Sequence, residues 1–533
     1  MVDMPTPEEF AALQKALADA LKHNESLAGE LRLTRTERDL LKEQLNKFKR
    51  QLFAASSEVT GQHQKDMFFN EAESLGAQAE PAAAEETDDD KVDVPGHKRA
   101  KRGRKPLDPA LPREVVRHEL PESERVCPHD GAALREIGVE VAEQLDIIPQ
   151  QVRVIRHERV KYACPCCDGG MRLAARPAQV IAKGLFTESA LAWIATSKYL
   201  DGLPLYRQAA LLGRFGGTDI SRNTVAGSIV RVGQAVQPVV NLLRDELLDS
   251  PLVFGDETEL QVLKEPGRSA QAKSYIWAQM TDGCGKDGTG PPIRMFTYSP
   301  SRSTNTAMQL YAGIRQGAVL MTDGYEVYDT VAEAHQLVHL GCWTHCRRYF
   351  HEALQALPKD QRGPDQLAAR FIALIGKLYH IESQARRDGV DANELGRRRR
   401  QDSVPVLNDI QTLLLANLHA VLPKSLLGQA LHYLASQWNK LKRYVEDGRY
   451  SIDNNGQENA IRPFCVGRRN WLFADTVAGA NASANLYSLL QTCQVNRIDG
   501  YRYLRALFIA LPKAQTANDY AALLPWRIDL TEN

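Results

Sequence analysis

Apolar positions near the start of the chain recur every seven residues. Leu17, Asn24, Leu31, Arg38, Leu45 and Leu52 form one row; Leu13, Ala20, Leu27, Thr34, Leu41 and Phe48 form the other. Nine of these twelve are apolar, so the spacing predicts a helix over residues 9–54 that pairs with a second copy as a coiled coil. Asn24 in the seam would fix register and partner number. The competing reading is an amphipathic helix packed on its own domain.

Periodicity fades over residues 55–96, where Ala, Glu and Asp dominate (AEPAAAEETDDD), as in a disordered acidic linker. The charge then reverses: residues 97–106 carry six Lys or Arg in ten. Arg102, Arg104 and Lys105 can lie extended in an A·T-rich minor groove; a solvated basic linker, paired with the acidic run, explains the same residues.

A small module follows at 113–175. Cys127-Pro-His-Asp130 opens it, QVRVIRHERVKYA alternates like a strand, and Cys164-Pro-Cys-Cys167 closes it. Two knuckles on a hairpin make a zinc ribbon, with Cys127, Cys164 and Cys167 as ligands and Asp130 or His129 as the fourth. A ribbon that has lost its metal stands beside that reading, because the first knuckle lacks a second Cys. Residues 186–247 read as all helical. A helix at 205–215, a Gly216-Gly217 turn and a second helix capped by Ser221 have the layout of a helix-turn-helix, presenting Arg222, Asn223 and Arg231 to DNA. Helix pairs with glycine turns also occur in proteins that never touch DNA.

At Pro251 strands and helices begin to alternate. PLVFGDET is an apolar strand with Asp256 near its end; ELQVL, SYIWAQM and IRMFTYS read as further strands, with a helix near 305–314. AVLMTD is a buried strand ending in Asp323, and LVHLGC and WTHCRRYFHEAL follow as strand and helix. Two buried strands that each deliver an Asp at the carboxyl end can set both at the rim of one sheet. A third acid comes from SIDNNGQENAIRPF, where Asp453 suits an N-cap and Asn454, Asn455, Glu458 and Arg462 share a helical face. Pro463 and the apolar run NWLFA are expected to end that helix. Phosphodiester cleavage needs an activated attacking oxygen and a stabilised leaving oxygen, which two Mg²⁺ ions held by carboxylates supply. Mn²⁺ is the alternative ion. Magnesium prefers hard oxygen ligands and keeps several waters, so Asp256, Asp323 and Glu458 suffice as its protein ligands. Each acid taken alone is as well explained by solvation or capping.

Cys342, His345 and Cys346 have the makings of a second metal knuckle, but no partner knuckle is evident, so they read as a wall of the site, with His345 and Arg347 near the scissile phosphate. Arg462, Arg468 and Arg469 are natural phosphate clamps, or solvated ion pairs. Residues 360–445 read as a helical insertion whose Arg397–Arg400 run grips DNA or faces water.

Bulk composition narrows the class. With 533 residues the chain exceeds one core, and Lys+Arg and Asp+Glu both number 66, so attraction to phosphate must be local. No run reaches the roughly 18 apolar residues of a membrane span. Nine cysteines, five of them in two short clusters, do not form a secreted disulfide framework and point to a reducing, cytoplasmic setting.

GDET, TDGYEVYD, CWTHCRRYF and IDNNGQENAIRPFCVGRRNWLF, in that order, resemble the blocks of the insertion-sequence-66 transposases, and SLLQTCQVNRIDGYRYLRAL resembles their C-terminal piece. The resemblance implies a ribonuclease-H-like catalytic fold with an Asp-Asp-Glu triad falling on Asp256, Asp323 and Glu458. It also implies element ends and target DNA as partners, a nucleoid-associated life, and accessory proteins from the same element. The chain is thus expected to be multidomain α+β. Its parts would be a coiled coil (1–55), a linker (56–112), the ribbon-like module (113–175), the helical module (176–248), the catalytic domain (249–475) and a C-terminal helical segment (476–533). A DNA-binding repressor with a relict core is the alternative, as is a nuclease that hydrolyses without joining.

Overall fold

The computed structural model describes residues 152–163, 171–216 and 219–531, with isolated positions between 15 and 45. Arg102, Arg104, Lys105, Cys127, Asp130, Cys164 and Cys167 lie outside them, as does the acidic linker. The described positions between 15 and 45 are helical, and Leu17, Leu31 and Leu45 of one heptad row are 62%, 53% and 53% exposed.

The alternating run before the second cysteine knuckle is less regular than its pattern predicts. Residues 152–160 form no strand, and pairing begins only at β1 (Lys161–Ala163), antiparallel to β2 (Met171–Leu173). Val154 is 88% exposed, so no apolar partner surface holds the alternation as a ladder.

The helical module forms as its pattern predicts: α1 (Glu188–Tyr199), α2 (Leu205–Gly216), α3 (Arg222–Ala235) and α4 (Gln237–Leu248). Ser221 caps α3, accepting from Thr224 N–H at 3.1 Å, an interaction typically worth about 1 kcal/mol.

A mixed sheet follows. β3 (Leu252–Lys264), β4 (Lys273–Thr281) and β5 (Ile293–Ser299) run antiparallel; β6 (Val319–Met321) and β7 (Val338–Leu340) lie parallel on the other side of β3, giving the order β5-β4-β3-β6-β7. PLVFGDET and ELQVL are therefore one thirteen-residue strand. Helices α5 (Thr304–Leu310), α6 (Val327–Ala334) and α7 (Trp343–Ala356) link or follow these strands.

The insertion comprises α8 (Leu367–Asp388), α9 (Ala392–Arg398), a π-helical turn (Arg399–Ser403), α10 (Val404–Asn417) and α11 (Leu426–Leu441), with a core of its own around Trp343, Phe350, Phe371, Ile410 and Leu434. Its arginine run is split: Arg397 and Arg400 are exposed, Arg398 is half-buried and Arg399 is buried. Arg399 is 2% exposed; its Nε and Nη2 bind the Glu382 carboxylate at 2.7 and 2.8 Å, and Nη1 donates to the carbonyls of Tyr444, Asp447 and Tyr450. Arg397 and Arg398 are bound to Glu394.

The chain returns through α12 (Asn455–Trp471), β8 (Ala474–Thr476), which pairs with the far half of β3, and α13 (Val477–Val495), α14 (Gly500–Ala510) and α15 (Ala517–Ala521). Pro463 does not end α12. The helix runs on to Trp471 and stops where Leu472 adopts φ +66°. A mid-helix proline costs about 3 kcal/mol, and burial of Ile461 and Phe464 beside it offsets that at about 1.5–3 kcal/mol each. NWLFA is accordingly a helix end and turn, with the strand beginning at Ala474.

One apolar core joins α1, α3 and α4 to a sheet face and to α13 and α14. The outer edge of β5 is closed by hydroxyls of α13: Ser488 Oγ accepts from Phe296 N–H at 2.8 Å and Thr492 Oγ1 from Arg294 N–H at 3.1 Å. The other sheet face carries a small cluster of Phe254, Met280, Met321, Leu340 and Cys342. The candidate site sits at the end of that cluster.

Candidate active site

Strand register gathers the first two acids. Phe254 of β3 is level with Met321 of β6 in a parallel pair, so Asp256 and Asp323, each two residues further on, are level neighbours facing the same way. Gly255, between Phe254 and Asp256, faces the other side of the sheet, where its missing side chain makes room for Tyr311: a Cβ there would lie 2.2 Å from that hydroxyl. Asp323 lies just past its strand, where its Oδ1 accepts from Tyr325 N–H at 2.9 Å.

The third acid is brought in by clips on the N-terminal end of α12. Asn454, fully buried, donates from Nδ2 to the Gly255 carbonyl at 3.1 Å, and its N–H donates to Cys342 Sγ at 3.3 Å. Asp453 is not the N-cap residue; Asn454 holds that position. Asp453 Oδ1 accepts from Asn455 N–H, while Oδ2 takes bonds from Tyr379 OH at 2.9 Å, Thr344 Oγ1 at 3.1 Å and Asn455 Nδ2 at 2.8 Å. Thr344 and Tyr379 thus tie the loop before the helix to α7 and α8, and Asn455 ties it to the first turn of α12. One turn on, Glu458 has His345 Nδ1 3.7 Å from its Oε1 and Arg348 Nη2 3.7 Å from its Oε2.

The electrostatics are frustrated. Asp256 is held well above the usual carboxylate range, by burial first, then by Asp323 and Glu257, with a smaller push from Glu458; the Glu257 N–H at 2.8 Å opposes this. Glu257 is raised to about 7, chiefly by burial, with Asp323 adding to it; the Tyr328 hydroxyl at 2.7 Å and Arg302 pull it back. His345 is lowered by burial and by Arg348, against the attraction of Glu458, Asp323 and Asp453. Glu458 Oε1 and Asn454 Oδ1 are buried and accept no hydrogen bond from the described residues. Among those residues, no three His, Cys, Asp or Glu side chains close into a metal cage.

This arrangement lies within the 183–482 span that matches the Transposase IS66 family. The match covers more than half of the chain. The chain belongs to the IS66 transposase family. Three further family descriptions match its flanks: "Transposase C of IS166 homeodomain" at 40–116, "zinc-finger binding domain of transposase IS66" at 124–168, and "IS66 C-terminal element" at 488–526. Relatives come from Sinorhizobium fredii (strain NBRC 101917 / NGR234). Uncharacterized protein y4qI is 34% identical over 440 residues, 80% of this chain and 78% of the relative. Uncharacterized protein y4jD is 30% identical over 426 residues, 78% of this chain and 81% of the relative.

Other residues of this IS66 chain fall around the acids to different degrees. Arg468 lies beside the site, donating to Thr258 Oγ1 at 3.2 Å, two residues along β3 from Asp256. Arg462 lines a cavity of about 400 Å³ with Asn459, Asn470 and Asp201, and Arg469 is exposed. Arg222 and Asn223 are exposed at the start of α3, in the helical module. Arg347 sits one position off the face shared by His345, Arg348 and Tyr349; it is Arg348 that meets Glu458. Arg348, Asp453, Glu257 and Tyr328 were not read from the sequence as site residues. For Arg348 the signal was present, since it stands three residues from His345 on one helical face. For Glu257 the partner Tyr328 is 71 positions away, and nothing local announces it. The five described cysteines are all free, and no helix among the described residues is long and apolar enough to cross a membrane.

Proposed function

We propose that this IS66 family member is an active Asp-Asp-Glu transposase that cleaves the ends of its element and joins them to target DNA, with Asp256, Asp323 and Glu458 as the catalytic acids. The observation that carries this is the convergence of Asp256, Asp323 and the helix bearing Glu458 at the end of one sheet face, from two strands and a helix distant in sequence. Buried like charges are costly unless a counter-charge arrives. The sheet order, antiparallel across β5-β4-β3 and parallel across β3-β6-β7, supports a ribonuclease-H-like reading of the catalytic fold.

The donor set fits divalent cations. It offers hard carboxylate oxygens, and both Glu458 Oε1 and Asn454 Oδ1 lack donors. Asp256, Asp323 and Glu458 would hold Mg²⁺, or Mn²⁺, as a pair of ions; when bound, these lower the pKa of a coordinated water or 3′-hydroxyl and neutralise charge on the leaving oxygen. The chain's own residues orient the rest. Asn454 and Asp453 fix the helix that presents Glu458, and Arg348 and Arg468 stand where they can hold phosphate oxygens. His345, kept neutral at pH 7 by burial, offers a nitrogen beside Glu458 for a hydrogen bond to the DNA.

The same reading assigns end recognition to Arg222 and Asn223 of the helical module, to the basic run with Arg102, Arg104 and Lys105, and to a zinc ribbon formed by Cys127, Asp130, Cys164 and Cys167. The exposed heptad leucines support pairing of two or more protomers, which brings two element ends together. The work is done on the bacterial nucleoid, in the cytoplasm, with accessory proteins of the element as further partners. The test is cleavage and strand transfer on labelled element ends with Mg²⁺, comparing wild type with Glu458→Gln. Product from wild type and none from the variant is expected. Gel shifts without product from wild type would make the protein a DNA binder with a silent core.

A further inference from the structure

Beside Asp323 the backbone leaves room for an aromatic ring. A Cβ added at Gly324 would lie 2.6 Å from Tyr433 Cε2 and 2.7 Å from its hydroxyl, so the glycine lets Tyr433 of α11 lie directly over the loop that follows the second acid. Tyr349 of α7 then stacks on Tyr433, with ring centroids 4.5 Å apart and planes 26° from parallel. Tyr349 stays 37% exposed and feels the Asp323 charge, which adds to burial and Glu352 in raising its phenol. Its neighbours on the helical face, His345 and Arg348, both approach Glu458. Tyr349 thus keeps exposed surface while braced from behind, at the rim of a carboxylate cluster. Its flat surface and the nearby Arg348 cation suit a nucleotide: a base on the ring, a phosphate on the guanidinium.

We infer that Tyr349, backed by Tyr433, is the platform on which a nucleobase flanking the cleaved phosphate stacks. The inference rests on the transposase reading above and adds the residue that positions the strand. Stacking on an aromatic side chain tolerates any base, so the platform would set where the strand sits and not which sequence is cut.

The test pairs protein variants with altered DNA. Full-length wild type, Tyr349→Ala, Tyr349→Leu, Tyr349→Phe and Tyr349→Trp are measured for binding and cleavage of labelled element ends, intact or with an abasic site at each position flanking the cut. The platform predicts that Y349A weakens binding or cleavage of intact ends about 5- to 150-fold. Y349F and Y349W, which keep a ring, restore it, and Y349L does not. At one flanking position the abasic site costs wild type the same factor and costs Y349A nothing more. A 5-iodouracil at that position should crosslink to Tyr349. Rescue by Y349L would mean that Tyr349 only fills space, and abasic and Y349A losses that multiply would mean that ring and base do not meet; either overturns the platform. If wild type neither binds nor cleaves intact ends, the transposase reading itself fails.

Discussion

Two charge clusters in this chain are built in opposite ways. Around Arg399 the charge is answered: one guanidinium meets one carboxylate with two bonds, and the Nη1 group is shared among three carbonyls. Around Asp256 the acids outnumber their partners: Arg302 and Arg348 stand no nearer than 3.7 Å to Glu257 and Glu458, and Glu458 keeps an oxygen with no donor. Both clusters are largely shielded from water, so burial alone does not separate them. Completeness does. A satisfied buried pair fixes one conformation and is finished, whereas a frustrated cluster needs something the chain does not contain. Asp453 makes the same point inside the site, because with four donors on its carboxylate it positions Glu458 and leaves no room for a ligand of its own.

The sharpest way to break this contrast is Asp256→Asn. Cleavage should fall by at least about 10²–10³-fold, the cost of removing one group that stabilises charge in the transition state. The same variant should melt higher than wild type in ion-free buffer at pH 7. Asp256 has its folded pKa raised, so ionising it above the ordinary carboxylate range costs stability, and an amide does not ionise. A variant that loses activity and also melts lower would remove the frustration argument. Next in size is Arg399→Ala, expected to lose about 3–5 kcal/mol in urea unfolding because Glu382 is left buried and alone. Replacing Arg399 and Glu382 together with apolar residues should recover much of that.

Glu257→Gln comes third. With its folded value near 7 against an ordinary 4.5, the folded state binds the extra proton in that window. Stability of the ion-free protein should therefore decline between pH 4.5 and 7, by up to about 3 kcal/mol, and E257Q should flatten the decline in melts taken across it. The smallest effect belongs to Arg397→Ala, which breaks an exposed ion pair with Glu394: no resolvable change in the urea midpoint and none in DNA affinity by gel shift. A clear loss of affinity would return the arginine run to the DNA interface.

How much of this the sequence disclosed follows from what each signal encodes. Apolar runs ending in Asp256 and Asp323 locate strand ends because burial is periodic, and Ser221 marks a helix start because capping is local. What pairs with what is not local. The run Asp256-Glu257-Thr258-Glu259 interrupts the apolar pattern of β3, so one strand reads as two; it continues because β4 supplies partners on one side and β8 on the other. Pro463 likewise reads as a stop, since its cost is local while the burial that offsets it is tertiary. The four consecutive arginines look alike in sequence, and only the fold distinguishes Arg399 from its neighbours.

The hydroxyls that α13 lays along β5 bear on how such an element decays. A damaged copy whose reading frame stops before Val477 would leave the Arg294 and Phe296 amides open on an apolar strand, a template for clumping rather than folding.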